Sequence, residues 1–158
     1  MANSPITSPL KESDKELTAS ALQTTVVDLV DLALIAKQAH WNVVGKNFRS
    51  VHLQLDELTT LARGYTDSAA ERANAIGVSP NAKARTVAEN SGLPEYPENW
   101  QSTDQTVDKI VEILSVLIQR MRVRVDETDK SDLITQDLLI EITQELEKQH
   151  WMWQAQQA

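Results

Sequence analysis

The 158-residue chain contains no cysteine, which excludes disulfide frameworks, thiolate metal sites and cysteine nucleophiles. Glycine and proline are scarce, 4 and 5 residues, so few positions force the backbone to break. Basic residues are also short: 15 Lys and Arg stand against 23 Asp and Glu, a net charge of −8. Phosphate neutralisation needs clustered Lys and Arg, so this balance argues against strong nucleic-acid binding by the body of the protein. It suits a protein that attracts cations. No apolar run is expected to be long enough to cross a bilayer, and no charged-then-apolar secretory pattern is read at the start. The expected compartment is the cytoplasm, with no membrane partner.

What is present is helical periodicity. With 41% hydrophobic residues the chain can bury one compact core. Residues 1–12 hold Pro5 and Pro9 among small polar residues and read as a flexible tail, leaving 13–158 as a single domain. Ser13 and Glu16 form a capping-box pattern that opens a first helix. Along it Leu22, Val26, Leu29, Ala33, Ala36 and His40 make one stripe at steps of three and four. Asn47 is the expected N-cap of a second helix over 48–76, whose stripe is Val51, Leu55, Leu58, Ala62, Tyr65, Ala69, Ala73 and Ile76. Gly77 and Pro80 end it. A long connection over 77–101 has room for a short helix at 83–90. The pair Ser102 and Gln105 opens a third helix, and a fourth begins near 132. No useful alternation of period two appears. The expected fold is all-α: a four-helix bundle with one long crossover connection between helices two and three.

The second helix carries the chemistry. With its apolar stripe at zero and about 100° per residue, His52 falls near 100°, Asp56 near 140°, Asp67 near 160° and Glu71 near 200°. All four share the face turned away from the core. A single charged pair four apart on such a face is more often a solvated surface than a site. Here, though, the donors are hard nitrogen and oxygen ligands that suit iron or zinc. At about 1.5 Å rise per residue, His52 and Glu71 are roughly 28 Å apart, so one chain cannot close both pairs on one metal. Two copies packed antiparallel about the helix midpoint would place each His52/Asp56 pair opposite the other copy's Asp67/Glu71 pair, making two equivalent sites roughly 22 Å apart. Gly64, near 220° and close to that midpoint, would permit close approach of a second backbone. His40 ends the first helix on its apolar stripe; a lone histidine there is more often a core residue than a ligand, and Trp41 beside it is more often packing.

These residues also form a recognisable pattern. The run Lys37, Gln38, Ala39, His40, Trp41, Asn42, then Gly45, Phe48, His52 and Asp56, then Asp67, Ser68, Ala69, Ala70, Glu71 and Arg72, resembles the signature of the Dps (DNA-binding protein from starved cells) or mini-ferritin family. The similarity continues through Leu93, Pro94, Glu95, Tyr96, Pro97 and the final Glu147, Lys148, Gln149, His150, Trp151, so it spans most of the chain from about residue 13. The resemblance implies a ferritin-like four-helix bundle assembled from two-fold dimers into a hollow homo-oligomer, a dodecamer. It implies ferroxidase centres at dimer interfaces, with two iron positions each. His40, His52 and Asp56 would come from one subunit and Asp67 and Glu71 from its neighbour, with Trp41 beside the site as a radical sink. The implied activity is oxidation of Fe(II), preferentially by hydrogen peroxide, with storage of an Fe(III) mineral, which limits oxidative damage and serves iron homeostasis. The stretch from Ser131 to Asp137 resembles the family segment lining an acidic three-fold pore, with Asp132 and Asp137 as candidate cation guides. Acids at a helix start that complement its dipole are the competing reading.

DNA binding is where the chain departs from part of that family. Members that bind DNA directly use lysine-rich tails, whereas residues 1–15 hold only Lys11 and Lys15, offset by Glu12 and Asp14, and 154–158 carry no charge. Arg120, Arg122 and Arg124 read as a solvated helix face. Weak or absent duplex binding is expected. Two alternatives stay open: a nucleoid-associated, DNA-protecting protein with little ferroxidase role, and a helical oligomer that binds another metal such as zinc without oxidation chemistry.

Overall fold

The computed structural model describes residues 4–158; the part of the expected tail at 1–3 lies outside them. The elements are α1 (Glu12–Asn42), β1 (Val43–Val44), α2 (Phe48–Ala75), α3 (Ala84–Asn90), β2 (Gln101–Ser102), α4 (Thr103–Thr128) and α5 (Leu133–Gln154). α1 packs chiefly on α2 and α4 on α5; α1 also meets α4, and α3, within the crossover, lies on α1. This is the expected four-helix bundle with a short helix in its long connection. The stripes predicted from periodicity line its centre: Leu29, Ala36, Leu55, Leu58, Leu114, Met121, Ile142 and Trp153 are essentially inaccessible to solvent.

Local chemistry sets the helix ends, and it departs from expectation at the first two starts. α1 begins at Glu12 after Lys11, which makes no side-chain cap, so the Ser13/Glu16 capping box does not form. Ser13 donates to Asp14 instead, and Glu12 and Asp14 in the first turn offset the free N–H groups electrostatically. Asn47 does stand at the start of α2, but in the left-handed region with φ 58° and no side-chain cap; its carbonyl accepts from Ser50 and Val51. The remaining ends follow the sequence. Gly77, at φ +80°, donates to the Asn74 carbonyl and Val78 to that of Ala73, the paired bonds of a glycine-terminated helix. Ser102 and Gln105 form their reciprocal capping box, and the Asp132 side chain accepts from the N–H groups of Ile134 and Thr135 to start α5.

Three further features correct the sequence reading. β1 and β2 form a two-residue parallel bridge, Val43 beside Gln101 and Val44 beside Ser102, which ties the α1–α2 turn to the start of α4. Such short pairing leaves no periodic trace. α1 is, by length and composition, apolar enough to span a membrane, with a window of mean hydropathy 1.5, of which 61% is buried in the bundle. A helix enclosed by partners on most of its circumference is hydrophobic nearly all round. Finally, the arginine run is not a solvated face. Arg124 is buried and, with Arg120, pairs with the wholly buried Asp28 of α1, with Arg120 Nε 2.8 Å from Asp28 Oδ2. The Gly92 N–H completes that carboxylate at 3.1 Å, and a Cβ on Gly92 would collide with the Arg120 guanidinium. Arg122 alone faces outward, to Glu147 at 2.5 Å.

Candidate metal centre

His40 near the end of α1 and His52 in the first turns of α2 are brought together by the tight turn between those helices. Their rings stack with centroids 3.6 Å apart and 20° between planes, and Phe48 lies against His52 at 4.9 Å. Each Nδ1 is 2.9 Å from the other residue's backbone carbonyl oxygen. A carbonyl only accepts, so both Nδ1 atoms carry a proton, and in the neutral ring that leaves the lone pair on Nε2. This is the tautomer a metal requires, fixed by the kind of backbone acceptor that orients ligating histidines.

Asp56, one turn beyond His52, joins them. Its Oδ1 lies 3.4 Å from His40 Nδ1 and 2.7 Å from Lys37 Nζ on α1. The hydrogen bond from Lys37, helped by the nearby histidines, holds the Asp56 carboxyl below its ordinary value, so it is a carboxylate at neutral pH. Trp41 is mostly exposed, and its ring centroid is 5.8 Å from Lys37 Nζ.

Asp67 and Glu71 are not brought into this group. They lie exposed further along α2, roughly 17 Å from Asp56 to Asp67 by helical rise. Among the described residues of the single chain no three His, Asp or Glu side chains converge on one metal-sized point. The polar face of α2 thus carries His52 and Asp56, beside His40 of α1, near its start, and Asp67 and Glu71 further along. Between them Gly64 is open: a Cβ there would meet nothing within 4 Å, so no contact inside this chain explains its presence.

The two pore candidates separate. Asp132 is buried at 8% exposure; it caps α5 and pairs with Arg72 of α2 at 2.5 Å, while Arg72 Nε also donates to Thr135. Burial would push its carboxyl up, but the Thr135 and Arg72 hydrogen bonds outweigh this and hold it below its ordinary value. Both oxygens are thus committed within the chain, which favours the helix-start reading over the cation guide for Asp132. Asp137 is exposed. Two features lay beyond the sequence reading: Lys37 as the partner of Asp56, and the Asp28–Arg120–Arg124 cluster. Lys37 meets Asp56, and Asp28 meets Arg120 and Arg124, only across packed helices, so spacing along the chain signals neither.

Fold and half-site together define a ferritin-like helix bundle, and comparison with known proteins narrows the class. The ferritin-like domain family matches residues 19–158. A Haemophilus ducreyi protein named fine tangled pili major subunit is 39% identical over 140 residues, covering 88% of this chain and 74% of that one. The DNA protection during starvation protein of Mycolicibacterium smegmatis is 33% identical over 145 residues, covering 90% and 79%. Among solved structures, Dps92 of Deinococcus radiodurans superposes with TM-score 0.88 at 32% identity over 90% of this chain and 87% of that one. A Dps of Microbacterium arborescens, solved in a high-iron form, gives 0.90 at 29% over 95% and 97%. The chain belongs to the Dps, or mini-ferritin, family of ferritin-like proteins.

Proposed function

We propose that this protein is a ferroxidase and iron-storage protein whose active centre forms only between two copies of the chain. The observation that carries the reading is the pair of histidines with Nδ1 locked to backbone carbonyls and Nε2 free, next to an ionised Asp56. Imidazole nitrogen holds Fe(II) well, and carboxylate oxygen favours the harder Fe(III) product. His40, His52 and Asp56 of one copy and Asp67 and Glu71 of the other supply the five ligands for two Fe(II) ions as substrate. Two Fe(II) give one electron each to one hydrogen peroxide, which takes up two protons and leaves as two water molecules. Consuming peroxide in that paired step releases no hydroxyl radical. Trp41, next to His40 in the chain and exposed, would take up a stray oxidising equivalent, as the family resemblance implies.

The product collects as mineral inside a closed homo-oligomer, a dodecamer of two-fold dimers, which Asp137 serves as an entry guide. The high-iron form of the Microbacterium relative supports iron as the cargo. A cytoplasmic location and protection against oxidative damage go with this reading. Duplex DNA binding is weak or absent, since the observed pairing of Arg120, Arg122 and Arg124 with carboxylates leaves that run little charge for phosphate. The test is anaerobic Fe(II) loading followed by peroxide. Rapid oxidation and a soluble mineral are expected in the wild type, and a fall to the protein-free rate when His52 and Asp56 are both changed to Ala. Wild-type oxidation no faster than the protein-free control would refute it.

A further inference from the structure

We infer that Lys37 is the counter-cation of Asp56 within the chain, and that an incoming divalent ion binds Asp56 by displacing it. The inference rests on the reading of His40, His52 and Asp56 as metal ligands. Lys37 is one turn before His40 and Trp41 on α1, so the three side chains share a face. Its ammonium is 2.7 Å from Asp56 Oδ1, and the Lys37 side chain is only 22% exposed, its stem held against the protein. His40 approaches the same oxygen at 3.4 Å, but its Nδ1 proton is directed to the His52 carbonyl at 2.9 Å. Lys37 is therefore the principal donor to this carboxylate.

A metal bonded to Asp56 at about 2.0–2.2 Å would share that carboxylate with a second positive charge a few ångströms away. Coulomb repulsion between the two cations makes joint occupancy unfavourable. Binding is thus an exchange of a monovalent for a divalent cation. The displaced ammonium has a nearby destination in the face of Trp41, whose centroid is already 5.8 Å from Nζ, within cation–π range. Two consequences of opposite sign follow. Lys37 lowers metal affinity, because its release is part of every binding event. In the proposed two-fold dimer, where Asp56 of one copy would face Asp67 and Glu71 of the other, it also offsets the repulsion of three carboxylates. Lys37 is a positioning residue acting through Asp56, and it biases the centre toward ions of higher charge.

The experiment uses the full-length protein with Co(II), which binds N/O sites, is not oxidised under anaerobic conditions and reports through its visible d–d absorption. Lys37→Gln is expected to bind Co(II) about five- to tenfold more tightly than wild type. The same variant, metal-free at low ionic strength, is expected to dissociate at higher protein concentration in sedimentation velocity. Lys37→Arg keeps a cation beside Asp56 and is expected within about twofold of wild type in both assays. Unchanged or weaker Co(II) binding by Lys37→Gln overturns the counter-cation role. Absence of Co(II) binding by wild type and Lys37→Gln alike overturns the metal-site reading beneath it.

Discussion

Reciprocal hydrogen bonds between His40 and His52 show how single side chains are prepared before any ligand arrives. Each ring is fixed by the other's backbone, so the two helices and the two lone pairs are positioned by the same contacts. Asp132 shows the opposite economy, a carboxylate satisfied entirely inside the chain. Its folded-state value is depressed by Thr135 and Arg72, so the unfolded chain takes up its proton more readily. The stability it contributes is present above its ordinary value of 3.8 and is lost as pH falls through the lower folded value. Asp132→Asn removes the ionic partner of Arg72 while keeping a side-chain oxygen to cap α5, and is expected to cost about 2–3 kcal/mol at neutral pH. Thermal unfolding of wild type and variant should differ most near neutral pH and converge as pH falls through the depressed folded-state value. A difference that widens on acidification would contradict this assignment.

At the scale of elements, much of the bundle was legible because amphipathic stripes and caps are local signals. The core positions of α2 and α4, the stop at Gly77 and the capping box at Ser102 all follow from residues within one or two turns of one another. What was not legible depends on partners distant in sequence. The ion cluster at Asp28 joins α1 to α4 and the crossover, and no spacing rule links Asp28 to Arg124. The same holds for the candidate site. His52, Asp56, Asp67 and Glu71 could be placed on one face by counting, but Lys37 became significant only when α1 was laid against α2. Gly77 combines both kinds of constraint. Its φ of +80° disfavours a side chain, and a Cβ would come within 2.8 Å of the Ile6 carbonyl oxygen. Residues 4–11 thus run close beside the end of α2, with Leu10 packed against the cluster of Leu22, Val26, Ala69, Ala73 and Ile76. Gly77→Ala should cost about 1–2 kcal/mol and speed amide exchange in residues 4–11 while leaving the centre of α4 protected. Unchanged exchange in that segment would show that the close approach does not hold it.

For the molecule as a whole, the face of α2 turned away from the core is the decisive surface. It carries His52, Asp56, Asp67 and Glu71, four of the five residues proposed as ligands, and a glycine that no contact within the chain explains. In the isolated chain a side chain at Gly64 meets nothing, and replacing a mid-helix glycine with a good helix former should stabilise the helix by up to about 1 kcal/mol. If a second α2 crosses there, the same change obstructs assembly. Gly64→Leu is therefore expected to keep its helical content by circular dichroism while sedimenting as a smaller species with impaired iron oxidation. Wild-type assembly by this variant would remove the glycine from the interface.

Complementation between two variants decides whether each centre is shared between two copies of the chain. One variant carries His52→Ala with Asp56→Ala, the other Asp67→Ala with Glu71→Ala. Each alone should oxidise Fe(II) no faster than the protein-free control. Unfolded together and refolded as an equal mixture, half of the two-fold pairs are mixed, and each mixed pair holds one complete set of five ligands out of two. The peroxide-driven oxidation rate should then recover to about a quarter of the wild-type value. A refolded mixture that assembles normally but stays at the control rate would contradict a shared centre.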